Sequence, residues 1–280
     1  MNNMKEKIAI LLATYNGESY IVEQLDSLFE QSFKQWTLYV HDDGSTDKTC
    51  SILQKYAAAH SNMVILEYES QHGPKNNFLS LLKAIDADYY FFCDQDDKWC
   101  HDKIEKELIR IQAEEEKHPS IPILVFSDLY VVDRHLNIIE SSMWKLSGIH
   151  PEYLTTFTEC GAFTFVTGCT MLFNRKAKES TIFPADKATM HDSWIALCIL
   201  KANGLVCPIY EPLVYYRQHG DNSLGASDWS QKSLLAKVGD LRYFIKRNYD
   251  QWRMLNALGY GSIFKYIYYK YRYKKLHHNL

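Results

Sequence analysis

The chain has no apolar run approaching the roughly 18 residues that a membrane-spanning helix needs, which argues against an integral membrane protein. It has no C-x-x-C pair, and its seven cysteines are odd in number and scattered. That pattern disfavours a disulfide framework and a zinc site, and predicts reduced thiols in a cytosolic compartment. Cys93, Cys169 and Cys198 fall in apolar runs and read as core residues. The first seven residues are polar and lead into a strand, which is not the pattern of a secretory signal. Internal repeats are missing as well. Neither G-x-G-x-x-G nor the Walker lysine motif occurs, so dinucleotide dehydrogenases and P-loop enzymes are disfavoured.

What is there is a globular composition, 46% apolar and 23% charged over 280 residues, enough for one large domain or a domain with an appendage. The net charge of −3 hides an asymmetry: residues 229–280 carry eleven Lys and Arg against two Asp, and the rest is correspondingly acidic. The first half alternates strand and helix signals. The run Lys7–Ala13 suits a strand buried on both faces, and Tyr20, Ile21, Leu25, Leu28 and Phe29 recur at helical spacing within Glu18–Gln31. Next come a strand at Trp36–Val40, a helix at Asp47–Ala59 capped by Ser45 or Thr46, and a strand at Met63–Tyr68. A helix at Asn76–Ile85, a strand at Asp88–Cys93 and a charged amphipathic helix at His101–Lys117 follow. This rhythm predicts a parallel sheet with right-handed crossovers. After Pro119–Pro122, strands are expected at Ile123–Ser127, Leu129–Val132 and Phe163–Phe173, then a helix at Ser193–Asn203 and a strand at Val206–Tyr210. That half reads as mixed and packed on the same sheet. Gly220–Gly225 reads as a polar loop, and the last fifty residues as amphipathic helices rich in Tyr, Lys and Arg.

In open parallel sheets, ligands bind at the C-terminal ends of strands. Here those ends carry Thr14-Tyr15-Asn16-Gly17, then Asp42-Asp43-Gly44-Ser45, then Asp94-Gln95-Asp96-Asp97 directly behind the apolar run Tyr89–Cys93. Carboxylates delivered to one point repel each other unless a cation or a bound proton compensates. The natural hard cations are Mg2+ or Mn2+, and their usual partner is a diphosphate. The plainer alternative is a solvated acidic turn in which Asp97 caps the next helix.

In this order the clusters resemble the family 2 glycosyltransferases, whose fold is called GT-A. Leu12–Gly17 is similar to the family's first strand and nucleotide loop, and Gln24–Leu28 and Gln31-Ser32-Phe33 continue it. Asp42–Asp47 resembles the second signature, and Asp94–Trp99 the metal-binding signature called DxD. Thr167–Met171, His191–Trp194 and Tyr215–Asn222 also match, so the likeness runs from about Ile8 to Gly225. The resemblance implies an α/β fold of the GT-A type: a Rossmann-like, mostly parallel central sheet flanked by helices, with a C-terminal helical appendage. Residues 1–225 would form the glycosyltransferase domain, with a nucleotide-binding half at 1–118 and an acceptor-binding half at 119–225. Residues 226–280 would form a basic, Tyr-rich helical extension. The nearest branch is the bacterial one that builds surface polysaccharides, with many rhamnosyltransferase-like members.

The resemblance also assigns roles. Asp96 falls at the second Asp of the metal signature and is the expected principal ligand. Asp94 falls at the first, reaching the donor's ribose or a metal-bound water. His219 is expected on the metal or the diphosphate, against the alternative of a solvated loop histidine. Arg217 would pair with a phosphate, or else form a surface ion pair. Asp192 matches the catalytic carboxylate and is the expected general base, where a plain helix cap is the alternative. His191 either orients substrate or sits in the core. Thr14, Tyr15 and Asn16 belong to the nucleotide loop, with Tyr15 stacking on the base or packing inside. One of Asp42 and Asp43 is expected to accept from N3–H of uracil or thymine. Lys75 and Asn76 lie near the next strand end and are expected to touch the donor. Trp99, Trp144 and Trp194 could floor an acceptor sugar, but buried Trp is more often core.

The function implied is inverting, metal-dependent transfer of a hexosyl or rhamnosyl group from a UDP- or dTDP-linked sugar to a hydroxyl of a growing bacterial surface glycan, such as O-antigen or capsule. A metal-dependent nucleotidyltransferase or phosphohydrolase would also cluster carboxylates behind strands. A non-catalytic nucleotide-sugar-binding module of an assembly complex is the third reading. The interleaved Tyr and cations of Lys265–Lys275 suit a bilayer interface, so peripheral contact with the inner face of the cell membrane and a lipid-linked acceptor are expected, and no nucleic acid.

Overall fold

The two longest apolar runs of the first half become two adjacent inner strands of the sheet. Strands β1 (Ile8–Thr14) and β4 (Tyr89–Asp94) pair in parallel, with Ile8 opposite Tyr89 and Ala13 opposite Asp94. Side chains alternate across a strand. Ala9, Leu11, Tyr90 and Phe92 therefore meet Phe78, Leu82, Trp194 and Ile195 on one face. Ile8, Ile10, Leu12, Phe91 and Cys93 meet Leu25, Leu28, Ile104 and Ile111 on the other. Each large apolar side chain withdrawn from water contributes about 1.5–3 kcal/mol, so this sandwich dominates stability.

The computed structural model describes residues 6–163, 166–219 and 241–278. Along the chain, β1 leads to helix α1 (Ile21–Phe29), β2 (Thr37–Asp42), α2 (Thr49–Ala59), β3 (Met63–Ile65) and α3 (Pro74–Ala84), which precedes β4. A short strand β5 (Lys98–Trp99), helix α4 (Lys103–Lys117), β6 (Ile123–Val132), β7 (Ile138–Glu140), α5 (Met143–Ser147) and α6 (Phe157–Ala162) follow. The chain continues through β8 (Met171–Asn174), α7 (Arg175–Ser180), α8 (His191–Lys201), β9 (Leu205–Arg217), α9 (Leu241–Ala257) and α10 (Ile263–His278). All the strands join one nine-stranded sheet in the order β3-β2-β1-β4-β8-β6-β9-β5, with β7 on β6. The expected parallel order holds from β3 to β4. Beyond β4 the sheet is mixed, because β8 runs antiparallel to both β4 and β6 while β9 runs parallel to β6.

Four local expectations need correcting. The two strands expected within 123–132 are one strand whose pairing with β9 slips at Ser127 and Asp128. The strand expected over Phe163–Phe173 shrinks to Met171–Asn174, because Gly168–Thr170 turns as a short 3-10 helix; a short apolar run cannot by itself distinguish the two. Neither Ser45 nor Thr46 caps α2; the Asp47 carboxylate accepts from the Thr49 amide at 2.9 Å, while Ser45 is spent on Asp42. Asp97 does not cap α4, which begins after Asp102; it is wholly buried. The expected polar loop at Gly220–Gly225, with Gly220, Asp221 and Asn222 of the last motif, lies outside the described residues.

Strand β9 positions the site. Its C-terminal stretch pairs antiparallel with β5, Val214 opposite Trp99, and so delivers Arg217 and then His219 to the loop that follows β4. Helix α10 rests on the second half of the chain: the Tyr273 hydroxyl accepts from the His150 amide at 2.8 Å, and its ring lies 4.1 Å from Phe163.

Beneath the β4 loop, α4 buries an ion pair. Lys103 Nζ and Glu107 Oε1 are 2.7 Å apart with both side chains 0% exposed, and the ammonium sits 4.4 Å over the Trp99 ring. Burial pushes the Glu107 carboxyl up to about 7 even with Lys103 beside it. Removing one partner of a fully buried pair strands the other charge. Lys103→Met should therefore destabilise by about 3–5 kcal/mol, while Lys103→Met with Glu107→Leu should recover most of the loss. Urea unfolding of both variants tests this; a double variant no more stable than the single one would contradict it.

Candidate active site

The nucleotide-loop residues and the second signature are held by one another. The Thr14 hydroxyl donates to Asp42 Oδ2 at 2.8 Å. The Asn16 amide donates to Ser45 Oγ at 2.7 Å, and Asn16 Oδ1 accepts from the Thr46 amide at 2.8 Å. Asn16 adopts φ 48°, a left-handed conformation that Asn tolerates better than most residues. Gln95 of the third cluster reaches back, its Oε1 accepting from the Tyr15 amide at 2.8 Å and its Nε2 donating to the Tyr15 carbonyl at 2.9 Å. That close approach explains Gly17, where a Cβ would stand 2.4 Å from Gln95 Oε1. No sequence pattern announces this bracing role of Gln95. With its backbone pinned, the Tyr15 ring is 56% exposed at the sheet edge, so core packing is ruled out and the face is open for stacking.

Asp42 and Asp43 sit at the end of β2 and are heavily coordinated. Burial pushes Asp42 up, but hydrogen bonds from the Ser45 hydroxyl and amide, Thr14 and Cys50 outweigh it and hold the carboxyl below its usual range. Burial likewise raises Asp43, and donors from Gly73, Ser70, Gln71 and His72 overcome it. The Gly73 and Gln71 amides lie 2.7 and 2.6 Å away, so Asp43 organises the turn that launches α3. On that helix, Lys75 Nζ donates across to the Ala188 carbonyl at 3.2 Å, and Asn76 Nδ2 to the Gln71 carbonyl at 3.0 Å. Lys75 thus ties α3 to the segment that introduces α8.

The third cluster gathers the charge. Burial first, then Asp96 and Asp192, pushes Asp94 up to about 7. Burial, then Asp96 and Asp94, pushes Asp97 well above the carboxylate range. Asp94, Asp96, Asp97 and the distant Asp192 therefore share one locality, although nearly a hundred residues separate Asp192 from the rest. His219 completes the rim: its Nε2 lies 2.7 Å from Asp96 Oδ2, and its ring packs 4.7 Å from Tyr20.

Arg217 departs from expectation. Its side chain is 1% exposed, neither a surface ion pair nor a free phosphate clamp. Its Nε donates to the Asp96 carbonyl at 2.7 Å, its amide donates to Asp97 Oδ1 at 3.2 Å, and its remaining nitrogens reach the Arg134 carbonyl and Glu23. The guanidinium lies 4.8 Å over Tyr20. It is the brace and counter-charge of the acidic loop. Tyr20 and Glu23, its supports, carried no signal in the sequence beyond a helical pattern.

The donor set fits a hard divalent cation. Asp94, Asp97 and Cys169 offer ligand atoms within 4.8 Å of one another. Burial holds the Cys169 thiol well above its usual range, so the groups suited to Mg2+ or Mn2+ are the oxygens, with Asp96 and His219 at the rim. A cavity of about 540 Å3 at the opposite end of β4 is lined by Lys7, Asp88 and Arg175 and plays no part in this arrangement; Arg175 is already paired with Asp86 and Asp88.

Asp192 is not the cap of α8. Met190 occupies that place, and Asp192 lies in the first turn, 8% exposed. Its Oδ1 accepts from the Ser193 amide and hydroxyl, and no hydrogen bond occupies Oδ2 among the described residues. Next to it, His191 is buried with both ring nitrogens unpartnered, 4.3 Å from the Phe78 ring and 4.9 Å from Phe92. Gly168 makes room for it, since a Cβ there would lie 2.8 Å from His191 Nε2. Trp99, Trp144 and Trp194 are all buried, and Trp194 Nε1 donates to the Ile182 carbonyl at 2.9 Å. None of the three is exposed to floor a sugar.

Burial pulls the His191 imidazole down to about 4 from an ordinary 6.5, with Asp192 opposing. The unfolded chain takes up this proton near 6.5 and the folded one only near 4. Above pH 6.5 the group costs nothing. As pH falls from 6.5 to 4 it should remove up to about 3 kcal/mol of stability. Urea unfolding at pH 7.5, 6 and 5 should show a smaller acid loss in His191→Leu than in the parent; equal slopes would contradict the assignment.

Comparison with known proteins agrees with this geometry. The family model for glycosyl transferase family 2 matches residues 9–181, more than half of the chain. A dTDP-rhamnosyl transferase of Shigella flexneri, RfbG, is 27% identical over 222 residues, covering 77% of this chain and 74% of its own. TuaG of Bacillus subtilis, a glycosyltransferase named for teichuronic acid biosynthesis, is 33% identical over 108 residues, which is 39% of this chain and 43% of TuaG. Among solved structures, a mannosyltransferase of Pyrobaculum calidifontis in complex with GDP-Man and Mn2+ superposes with a TM-score of 0.58 at 18% identity, over 81% of this chain and 60% of that one. The fold is thus GT-A, and the chain belongs to glycosyl transferase family 2.

Proposed function

We propose that the protein transfers a sugar, hexosyl or rhamnosyl, from a UDP- or dTDP-linked donor to a hydroxyl of a growing, lipid-linked bacterial surface glycan, with inversion and with the help of Mg2+ or Mn2+. One observation carries the reading: Asp94 is pressed electrostatically by Asp96 on its own loop and by Asp192 from α8, so carboxylates of the β4 loop and a separate carboxylate from α8 meet at the end of β4. The relatives named for polysaccharide sugars and dTDP-rhamnose support the donor and acceptor classes.

The residues divide the work as follows. The exposed Tyr15 ring stacks on the base, beside the edge built by Asp42 and Asp43. Thr14 and Asn16 hold that edge in shape, and Lys75 and Asn76 border the donor from α3. Asp94, Asp96 and His219 would hold the cation. When bound, it neutralises the charge that grows on the departing nucleoside diphosphate. Arg217 positions Asp96 and Asp97 from below and does not itself meet a phosphate. The open Oδ2 of Asp192 accepts the proton of the acceptor hydroxyl as that oxygen bonds to the anomeric carbon. The bond from that carbon to the diphosphate oxygen breaks on the opposite face, which gives inversion. No helix among the described residues is long and apolar enough to cross a membrane.

Asp192→Asn should lower kcat by about 10^2–10^4-fold while leaving the donor-induced rise in Tm intact, because the residue acts on the acceptor and not on the nucleotide. Asp96→Asn should abolish the extra donor stabilisation that Mn2+ confers. A panel of UDP-, dTDP- and GDP-sugars, scored by nucleoside diphosphate release and thermal shift, measures both. Near-normal turnover of Asp192→Asn, or undiminished turnover in EDTA, would overturn the reading.

A further inference from the structure

Helix α10 has two apolar faces, and the fold uses one of them. At about 100° per residue, Tyr266, Tyr269 and Tyr273 fall together on the inner side. Tyr266 and Tyr273 are buried there, and Lys270 is half-buried among them, bonded to the Tyr266 hydroxyl and to Asn248 of α9. On the opposite side, Phe264, Tyr268, Tyr271 and Lys275 project within roughly 60° of one another, with Ile267, Arg272 and Lys274 along the margins. Phe264 is 79% exposed, Tyr271 67%, Tyr268 58% and Ile267 55%. A surface helix ordinarily turns polar residues outward. This one turns out three aromatic rings and an isoleucine, and nothing among the described residues covers them.

The charge on the helix identifies the occupant. Lys265, Lys270, Arg272, Lys274 and Lys275 are its cations, and it carries no Asp or Glu. The exposed members of that set stand beside the aromatic stripe, so one surface offers rings and ammonium groups together. Aromatic rings settle at headgroup depth, and lysines and arginines draw anionic lipid. A second copy of the chain would bring the same positive charge to the same place and repel it. We infer that the outer face of α10 is a docking surface for an anionic bilayer, entered by Phe264, Tyr268 and Tyr271 and flanked by Arg272, Lys274 and Lys275. Because the inner face of α10 packs on the acceptor half through Tyr273, docking would hold that half toward the lipid surface.

The test uses the full chain and sedimentation with vesicles of phosphatidylglycerol and phosphatidylcholine, against phosphatidylcholine alone. Binding to the anionic vesicles is expected, weakening as salt is raised. Lys274→Gln with Lys275→Gln should bind them about thirtyfold more weakly, at roughly one charge contact each. Phe264→Ser with Tyr268→Ser and Tyr271→Ser should lose more than about tenfold on either composition. All five side chains are solvent-facing, so the fold should be unchanged by circular dichroism. Donor hydrolysis in free solution should stay at the parent rate. Vesicle binding needs no donor and is therefore independent of the transfer assay. Failure to sediment with anionic vesicles, or full binding by the aromatic variant, would overturn the inference. So would a dimer in light scattering, or retention on single-stranded RNA, that the same substitutions abolish while vesicle binding is absent.

Discussion

The structure turns on a concentration of like charge at the end of one buried strand. Two unit charges 4 Å apart interact by about 4 kcal/mol at the effective dielectric of a protein surface, so four neighbouring carboxylates are a standing cost. The fold meets it in three ways. Asp94 and Asp97 are driven toward their protonated forms. Arg217 arrives on β9 with its guanidinium under the loop. His219 closes on Asp96 from the rim. None of these removes the crowding, and a divalent ion bound by oxygens would. The crowding is thus tolerated at the point where a diphosphate would leave.

A second layer of organisation keeps the loops in register. Motif residues are spent largely on one another: Gln95 on the Tyr15 backbone, Ser45 on Asn16 and Asp42, Asp43 on the turn before α3. Three loops from strands far apart in sequence become one rigid rim. A ligand binding to such a rim loses little conformational freedom on the protein side, which favours affinity without further contacts. The same bracing leaves the Tyr15 ring as the prominent exposed group of the nucleotide loop.

Much of the first half of the chain was legible from residue type and spacing. Strands buried on both faces read as unbroken apolar runs, and β1 and β4 stood within a residue of where those runs placed them. The convergence of the three strand ends followed from a parallel sheet. Legibility failed where one side chain had two possible employers. Arg217 reads as a phosphate ligand because its carbonyl partners on Asp96 and Arg134 leave no trace in a sequence. The alternative of a plain cap for Asp192 could be weighed only in the structure, where the cap is Met190. The run from Phe163 reads as a strand because nothing local reveals that Gly168 must turn to admit His191. Each miss is a long-range contact that overrode a correct local preference.

The placement of Asp192 shows how the two halves depend on each other. Helix α8 packs its apolar residues into the cluster that holds Phe78 and Phe92, on the same sheet face as Tyr90. His191 lies against both rings, and Lys75 of α3 holds the carbonyl of Ala188 just ahead of the helix. The start of α8 is therefore held by contacts to α3 and β4. A neutral imidazole fills that site without a counter-ion, whereas burial among aromatic rings costs a protonated one more than the neighbouring Asp192 returns. The carboxylate thus sits beside a histidine whose neutral form burial favours. Acid would then weaken the packing beside Asp192 before it protonated Asp42 and Asp43, whose hydrogen bonds hold them below the usual carboxylate range.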